Sequence, residues 1–299
     1  MYVVSERVST PLESAYAYCA LLLQENDKDR FLADLFIPAE QRSHVNALHA
    51  FSFEVARVRE VVSEPMPGEI RHQWWRDALE GNARGGVSAN PVAAALIDTV
   101  ERFGLPRAAL VALIDARGFD LYDAPMPDLP SLESYAKNTS SVLFRLAAQI
   151  LAKGSSSDCA EARLDAAAES AGLAYAFTGL IRAFAAHAAR RQVYLPASVL
   201  RQHGSSPDEA LRGRPTPALL ASIGEWRRET RRHLAEALSL VSNLPDRFRP
   251  AFVPLALVDP YLRQTETRGF DPFRSPVELP QWRRQWALWR GLPKSPPAR

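Results

Sequence analysis

The stretch ALHAFSFEVARVREVVSEP, residues 47–65, has the spacing of a helix with one apolar side. Its apolar residues recur at steps of three and four, the period of an α-helix that buries one face; they are Leu48, Phe51, Val55, Val58 and Val62. Three carboxylates accompany them, at Glu54, Glu60 and Glu64. The stretch therefore predicts a helix, and it raises the question of whether its carboxylates hold a metal ion.

The same helical spacing continues along the chain. It recurs at Leu173, Phe177, Leu180, Ile181 and Phe184, whereas alternating strand patterns are hard to find. Prolines lie between the periodic segments, where they separate helices. We expect an all-α protein of about eight to eleven helices, with one helical domain over residues 1–270 and a Pro/Arg/Trp-rich tail over residues 271–299.

Composition restricts the possible partners and the cellular location. The 299 residues contain 36 Lys and Arg against 34 Asp and Glu, so no broad positive field is available to attract nucleic acid. The N-terminus shows no signal-peptide pattern, and no run reaches the roughly 18 apolar residues of a membrane span. Cys19 and Cys159 lack the spacing of a zinc site or a redox pair. We expect a cytoplasmic protein, with peripheral attachment to the inner face of a membrane as a further possibility.

Two longer blocks carry a resemblance to a known family. Residues 29–79, DRFLADLFIPAEQRSHVNALHAFSFEVARVREVVSEPMPGEIRHQWWRDAL, and residues 190–196, RRQVYLP, resemble the squalene/phytoene synthase family. Within it they are most similar to the branch of complex I assembly factor 6 type proteins, and the resemblance extends over residues 12–265. It implies an all-α isoprenoid-synthase fold, a helical bundle around a deep central cavity.

The enzymes of this family join two prenyl diphosphates and hold Mg²⁺ with carboxylates of two motifs. The second motif, QxxNxxRDxxxD leading into GRxYLP, is aligned here by Tyr194 and the residues after it. Its arginine is present, but no aspartate or amide is; the motif positions are Ala176, Gly179, Arg182, Ala183 and His187. Mg²⁺ requires oxygen ligands, so the resemblance implies no metal ligand and no catalytic residue here. His187 remains open as an acid–base group or as a hydrogen-bonded histidine near a helix end.

The first motif, DDxxD, aligns with Arg59, Glu60 and Ser63, followed by Glu64. Glu60 and Glu64 are four residues apart, so on one helix they would share a face and imitate the missing ligand pair. Arg57 precedes Glu60 by three residues, which favours an intrahelical ion pair over a metal site. We therefore interpret this stretch as a former metal site that remains as a charged helix face.

The segment YAKNTSSVLFRLAAQIL, residues 135–151, resembles the cavity-lining helix of the family. Its small residues leave room for a prenyl chain, although close helix packing explains small residues equally well. The residues that we expect to face a substrate or lipid are Arg57, Glu60, Glu64, Tyr135, Ser141, Arg182, His187 and Tyr194.

The tail combines aromatic and basic residues. Trp282, Trp286 and Trp289 follow the i, i+4, i+7 spacing of one helix face, and positive charge comes from Arg283, Arg284, Arg290 and Lys294. This composition is typical of a helix in a membrane interface. The alternative is that the three rings pack back onto the domain.

Three functions follow from these observations. The first is a non-catalytic family member that acts as an assembly or interaction factor for a membrane respiratory complex, with subunits of that complex as partners. The second is a head-to-head prenyl-diphosphate synthase with altered metal ligands. Of the three functions, only this one would need Mg²⁺. The third is an isoprenoid- or lipid-binding protein that keeps the cavity without the chemistry.

Overall fold

The computed structural model describes residues 10–83, 86–152 and 158–291, without the side chains of residues 158–160. Within these ranges no residue lies in a strand, which confirms the all-α prediction. The α-helices are α1 Pro11–Asn26, α2 Lys28–Asp34, α3 Ala39–Ala56, α4 Val58–Val61, α5 Pro65–Glu80, α6 Pro91–Phe103, α7 Arg107–Arg117, α8 Leu129–Ala136, α9 Val142–Ala152, α10 Asp158–Arg182, α11 Phe184–Ala189, α12 Ala197–Gln202, α13 Pro207–Ala210, α14 Pro217–Ser242, α15 Val258–Gln264 and α16 Gln281–Arg290. A π-helical turn, Lys137–Ser141, joins α8 to α9, and 3₁₀ segments span Val87–Ala89, Gly118–Leu121 and Asp246–Leu257.

The described ranges hold more helices than the eight to eleven that the sequence predicts. Short helices account for much of the difference. The sequence pattern predicts one continuous helix at each of the two motif segments, but each segment is interrupted and so contributes an additional short helix. The chain leaves α3 at Arg57 and re-enters a helix at Val58, and it leaves α10 at Arg182 and resumes after Ala183. Both breaks lie at the aligned motif positions or within two residues of them.

A large apolar core fixes how the long helices pack. α10 lies along α14, while α1 contacts α3 and α6, and α9 contacts both α3 and α10. Phe51, Phe177 and Phe248 are fully buried in this core. The two motif segments, at the end of α3 and the end of α10, are therefore held in place by helices that pack in this core.

The described part of the tail packs against the domain. Leu288 of α16 is fully buried in a second apolar cluster that also contains Val277, Leu279, Leu257 and Tyr261. The division of the chain at residue 270 stays a prediction, and Lys294 lies outside the described residues. Among the described helices, none is both long enough and apolar enough to cross a bilayer.

Candidate functional site

A buried carboxylate, Asp29 of α2, organises one side of the interior. The Tyr261 hydroxyl donates to both of its oxygens, at 2.9 and 2.8 Å, and Arg182 Nη1 donates at 2.8 Å. Arg284 of α16 adds an ion pair, with its Nε 3.2 Å from Oδ1 of Asp29. The Arg182 guanidinium also lies over the Tyr261 ring, 3.6 Å from the ring centre. We call these four residues the Asp29 cluster.

A second buried carboxylate, Asp120, organises the other side. It accepts hydrogen bonds from the hydroxyls of Tyr135 at 2.8 Å and Tyr194 at 2.6 Å, and from Arg117 Nη1 at 3.0 Å. Burial raises the pKa of both tyrosines, so both hydroxyls stay protonated donors. Burial alone would lower the pKa of Arg117, but Tyr135 and Asp120 outweigh it and the pKa is raised. These four residues form the Asp120 cluster.

Two adjoining cavities lie between the clusters. The large cavity has a volume of about 590 Å³ and is lined by the whole Asp29 cluster together with Tyr175 and Thr178. The small cavity has a volume of about 170 Å³; its polar lining consists of Arg57, Arg59, Glu60, Arg117, Asp120, His187, Arg190, Gln192 and Tyr194. Phe53, Ala56 and Arg117 line both cavities.

The predicted site residues are only partly brought together. The small cavity collects Arg57, Glu60, His187 and Tyr194, whereas Arg182 faces the large cavity. Tyr135 belongs to the Asp120 cluster and also lines a separate groove beside Phe119 and Met126. Glu64 lies outside both cavity linings, as does Ser141.

The first motif does not form the predicted charged helix face. Glu60 lies in the one-turn helix α4, while Glu64 precedes α5 with extended backbone, so the two carboxylates share no helix. The predicted ion pair between Arg57 and Glu60 is also wrong. Arg57 contacts Glu54 at 3.4 Å, and Glu60 contacts Arg190 at 2.8 Å. The physical reason is the break at Arg57, which redirects the chain before Glu60.

The histidine of the second motif does not suit Mg²⁺. The His187 ring lies 4.7 Å from the Tyr194 ring, centre to centre. Burial lowers the pKa of His187 to about 4, with Asp120 opposing that effect and Arg190 adding to it. The imidazole is therefore neutral at pH 7, and nitrogen is a poor ligand for a hard cation.

The residues around the two cavities do not fit a Mg²⁺ cluster. Asp29 and Asp120 are surrounded by donors, and Glu60 is paired to an arginine. The other carboxylates that line the large cavity are those of Glu25, Asp27 and Glu278. Across the described residues, no group of three or more His, Cys, Asp or Glu side chains has the arrangement of a metal site. Arginine stands at Arg59, an aligned ligand position, where a metal site needs a carboxylate.

The small residues of the π-helical turn serve close packing with α10. The Ser141 hydroxyl donates to the Glu169 carbonyl at 2.9 Å. A Cβ built on Gly172 would lie 2.2 Å from the Ser141 backbone. Close helix packing therefore explains the small residue at Ser141. The contact between Ser141 and Gly172 leaves no room for a prenyl chain at this point.

The three tail tryptophans face away from the domain. Trp282, Trp286 and Trp289 are 63, 53 and 69% exposed, while the buried face of α16 carries Leu288 and Arg284. Within the described part of the chain, the alternative in which the three rings pack back onto the domain is therefore wrong. We call these three side chains the tryptophan face.

Sequence reasoning missed most of the buried polar groups. Asp29, Arg117, Asp120 and Tyr261 were not assigned a role, although Asp29 begins the block that carries the family resemblance. The expectation that Arg284 supplies positive charge at the surface of the tail is wrong, because Arg284 is largely buried and pairs with Asp29. A charged residue in an apolar helical segment is the available signal, because such a residue is rarely buried without a partner. The identity of each partner is decided only by the fold.

Comparisons with known proteins agree with this architecture. The chain is 32% identical to complex I assembly factor 6 of Rattus norvegicus over 267 residues, which cover 89% of this chain and 78% of that protein. It is 31% identical to complex I assembly factor 6 of Homo sapiens, over 87% of this chain and 77% of that one. A dehydrosqualene synthase crystal structure superposes with a TM-score of 0.79 at 16% identity, covering 94% of this chain and 97% of the other, which shows the isoprenoid-synthase helical fold.

The sequence pattern of the squalene/phytoene synthase family matches residues 23–290, and this range contains both motif segments and both cavities. The chain belongs to the squalene/phytoene synthase family.

Proposed function

We propose that this protein is a non-catalytic member of its family that acts as an assembly or interaction factor for a membrane-bound, complex I-like respiratory complex. One observation carries the first half of the proposal: the buried carboxylate Asp29 and the motif carboxylate Glu60 are neutralised within the protein. Asp29 is paired with Arg182 and Glu60 with Arg190, each at 2.8 Å. Carboxylates in such pairs are poor ligands for the Mg²⁺ that prenyl transfer needs.

The relatives support the second half. The proteins of rat and man at 32 and 31% identity are both named as assembly factors of NADH dehydrogenase (ubiquinone) complex I. Fold alone does not decide between catalysis and interaction, because one fold hosts many functions. The partners that we propose are therefore subunits of such a complex.

The test has a cellular arm and an enzymatic arm. Deletion of the gene should lower NADH dehydrogenase (ubiquinone) activity in membranes and leave terpenoids unchanged, and the wild-type gene should restore the activity. The purified protein should form no squalene, presqualene diphosphate or phytoene from farnesyl or geranylgeranyl diphosphate with Mg²⁺. Product formation above a no-protein control would establish the synthase alternative, for which Mg²⁺ would be the cofactor. Intact respiratory activity after deletion would contradict the assembly role.

A carrier of isoprenoids or lipids is the remaining alternative. The large cavity has the volume of a small-molecule site. However, the lining of this cavity is charged and includes the Asp29 cluster. Prenyl chains bind to apolar walls, so the lining favours the carrier function less than the assembly role. Lipid that co-purifies with the protein and is displaced by bulky substitutions in this cavity would support the carrier.

We also propose that the protein attaches peripherally to the inner, cytoplasmic face of a membrane through the tryptophan face. The rings are exposed, and Arg283 and Arg290 lie over the rings of Trp282 and Trp286, 5.1 and 4.8 Å from the ring centres. Tryptophan beside arginine suits the boundary between acyl chains and anionic headgroups. Such attachment would place an assembly factor beside its membrane-bound partner.

A further inference from the structure

Helix α5 presents an apolar surface to solvent, away from the two central cavities, whose linings contain no residue of this helix. Its residues Met66 and Ile70 are 71 and 65% exposed. Val61 and Tyr122 are each 47% exposed. Ile70 lines one groove together with Met66 and Tyr122, and it lines a second groove together with Val61 and Trp74. We call these five side chains the α5 surface. Exposed apolar side chains that adjoin one another, unlike isolated ones, indicate a contact site.

The groove beside Met66 contains a buried acceptor that has no donor. This groove has a volume of about 440 Å³, and His72, which is 2% exposed, contributes to its lining. Burial lowers the pKa of His72, so the ring is neutral at pH 7. The ring donates to the backbone of Val55, and its Nε2 makes no hydrogen bond with any residue in the described ranges. A neutral imidazole has one N–H, so Nε2 is an acceptor that an O–H or N–H brought into the groove would satisfy.

The charges beside the α5 surface have both signs. Arg71 is exposed and lines the second groove, which has a volume of about 550 Å³, and the exposed Glu64 directly precedes α5. Among the described residues, neither of these two side chains has an ion-pair partner. Anionic headgroups would repel Glu64, whereas a protein segment can bring a carboxylate to Arg71 and a cation to Glu64. The charge pattern therefore favours a protein partner over a membrane at this surface.

We propose that the α5 surface is the docking site for an amphipathic segment of a protein partner. Apolar side chains of the partner enter the two grooves on either side of Ile70, and an acidic side chain pairs with Arg71. A tyrosine or tryptophan of the partner donates its O–H or N–H to His72, because an aromatic residue with a polar group suits an apolar pocket that holds one acceptor. The docking surface stands on these contacts alone, whereas the identity of the partner as a subunit of the respiratory complex rests on the proposed function.

The first test is photo-crosslinking in cells, with benzoylphenylalanine in place of the exposed Gln73 at the edge of the groove beside Met66. Irradiation of the full-length protein should give a discrete protein adduct, and Arg71→Glu should remove most of it because the partner's carboxylate is then repelled. Benzoylphenylalanine in place of Leu238 is the control, since Leu238 is exposed on α14 and lines neither groove. The proposal is overturned if position 73 gives only lipid adducts or none, if Arg71→Glu leaves the adduct unchanged, or if position 238 gives the same adduct.

The second test determines whether this partner belongs to the respiratory complex. In the deletion strain, the wild-type gene should restore NADH dehydrogenase (ubiquinone) activity, and the double variant Met66→Ser, Ile70→Ser should lose most of that restoration. Both side chains are more than half exposed, so the purified variant should melt at the temperature of the wild type. The matched control is Leu21→Ser with Leu238→Ser, which changes two exposed leucines of other helices and should restore the activity fully.

The outcomes separate this inference from the proposed function. Full restoration by the Met66→Ser, Ile70→Ser variant would contradict a role of the α5 surface in assembly. Failure of the wild-type gene itself to restore activity would contradict the proposed function, and the adduct at position 73 would still decide whether the α5 surface docks a protein.

Discussion

The guanidinium of Arg182 donates to the carboxylate of Asp29 at 2.8 Å across 153 residues of sequence. Arg182 is the residue of the second motif that matches the family pattern, and in this protein it is committed to an internal partner. Its Nε also donates to the Val277 carbonyl at 3.3 Å. One motif residue therefore joins α2, α10 and the tail segment, which gives it a structural role that needs no substrate.

We expect Asp29→Ala to lower the free energy of unfolding by about 2–4 kcal/mol, because it leaves Arg182 and Arg284 partly buried without their carboxylate. Asp165→Ala is the control, since Asp165 forms a half-exposed pair with Arg145 at 2.8 Å. That change should stay within about 1 kcal/mol. Urea denaturation measures both, and equal losses would contradict a special role for the Asp29 cluster.

Glu60→Ala and Glu64→Ala should each change the unfolding free energy by less than about 1 kcal/mol, because one carboxylate is in a half-exposed pair and the other is exposed. Millimolar Mg²⁺ should not raise the melting temperature of the wild type cooperatively. A Mg²⁺-dependent stabilisation that disappears in both variants would show that the two carboxylates do hold a metal ion.

His187 predicts a pH dependence with a defined sign. Its pKa is about 4 in the folded protein against an ordinary 6.5, so between these values the unfolded chain binds a proton that the native chain does not. Stability from this group is complete above pH 6.5 and is lost as the pH falls toward 4. The unfolding free energy of the wild type relative to His187→Gln should therefore drop by up to about 2–3 kcal/mol over that interval. A pH-independent difference between the two proteins would contradict the burial of a neutral imidazole.

Gly172→Ala should destabilise the protein by about 1–3 kcal/mol, because the added Cβ would overlap the Ser141 backbone. Gly179→Ala is a matched control on the same helix, where an added Cβ meets nothing within 4 Å. It should be neutral or stabilising by up to about 1 kcal/mol, since alanine favours helix. Thermal unfolding of the two variants distinguishes close packing at Gly172 from a general effect of glycine replacement in α10.

Replacement of all three residues of the tryptophan face by serine should reduce co-sedimentation with phosphatidylglycerol vesicles. The remaining binding should weaken as salt is raised, because headgroup attraction is screened within about 10 Å at 0.1 M ionic strength. Substitution is a cleaner test than truncation after Pro276, which would also remove the buried Val277, Leu279 and Leu288. The control triple variant changes three exposed apolar residues of α1 to serine, namely Leu12, Tyr18 and Leu21. Equal losses in both triple variants would remove the case for a specific membrane face.

The sequence alone determined the helical class and the family. The spacing of apolar residues at three and four positions is a local property, so it predicts helices without knowledge of the fold. The motif aligned by Tyr194 is equally local, and the alignment shows that Ala183 and His187 stand where the family has aspartates. The i, i+4, i+7 spacing of the tail tryptophans indicated a shared face in the same way.

Only the tertiary structure decided which charges meet. The predicted pair of Arg57 with Glu60 failed because the helix ends between them, and a break of one residue is not visible in a periodic pattern. The partners of Asp29 and Glu60 lie 153 and 130 residues away, at Arg182 and Arg190, so no local spacing encodes them. Whether the tryptophan face points inward or outward was likewise open, because a helix with aromatic residues on one side and basic residues around it is stable either way. Packing of Leu288 against the domain settled it, since burying the opposite face of α16 leaves the three rings in solvent.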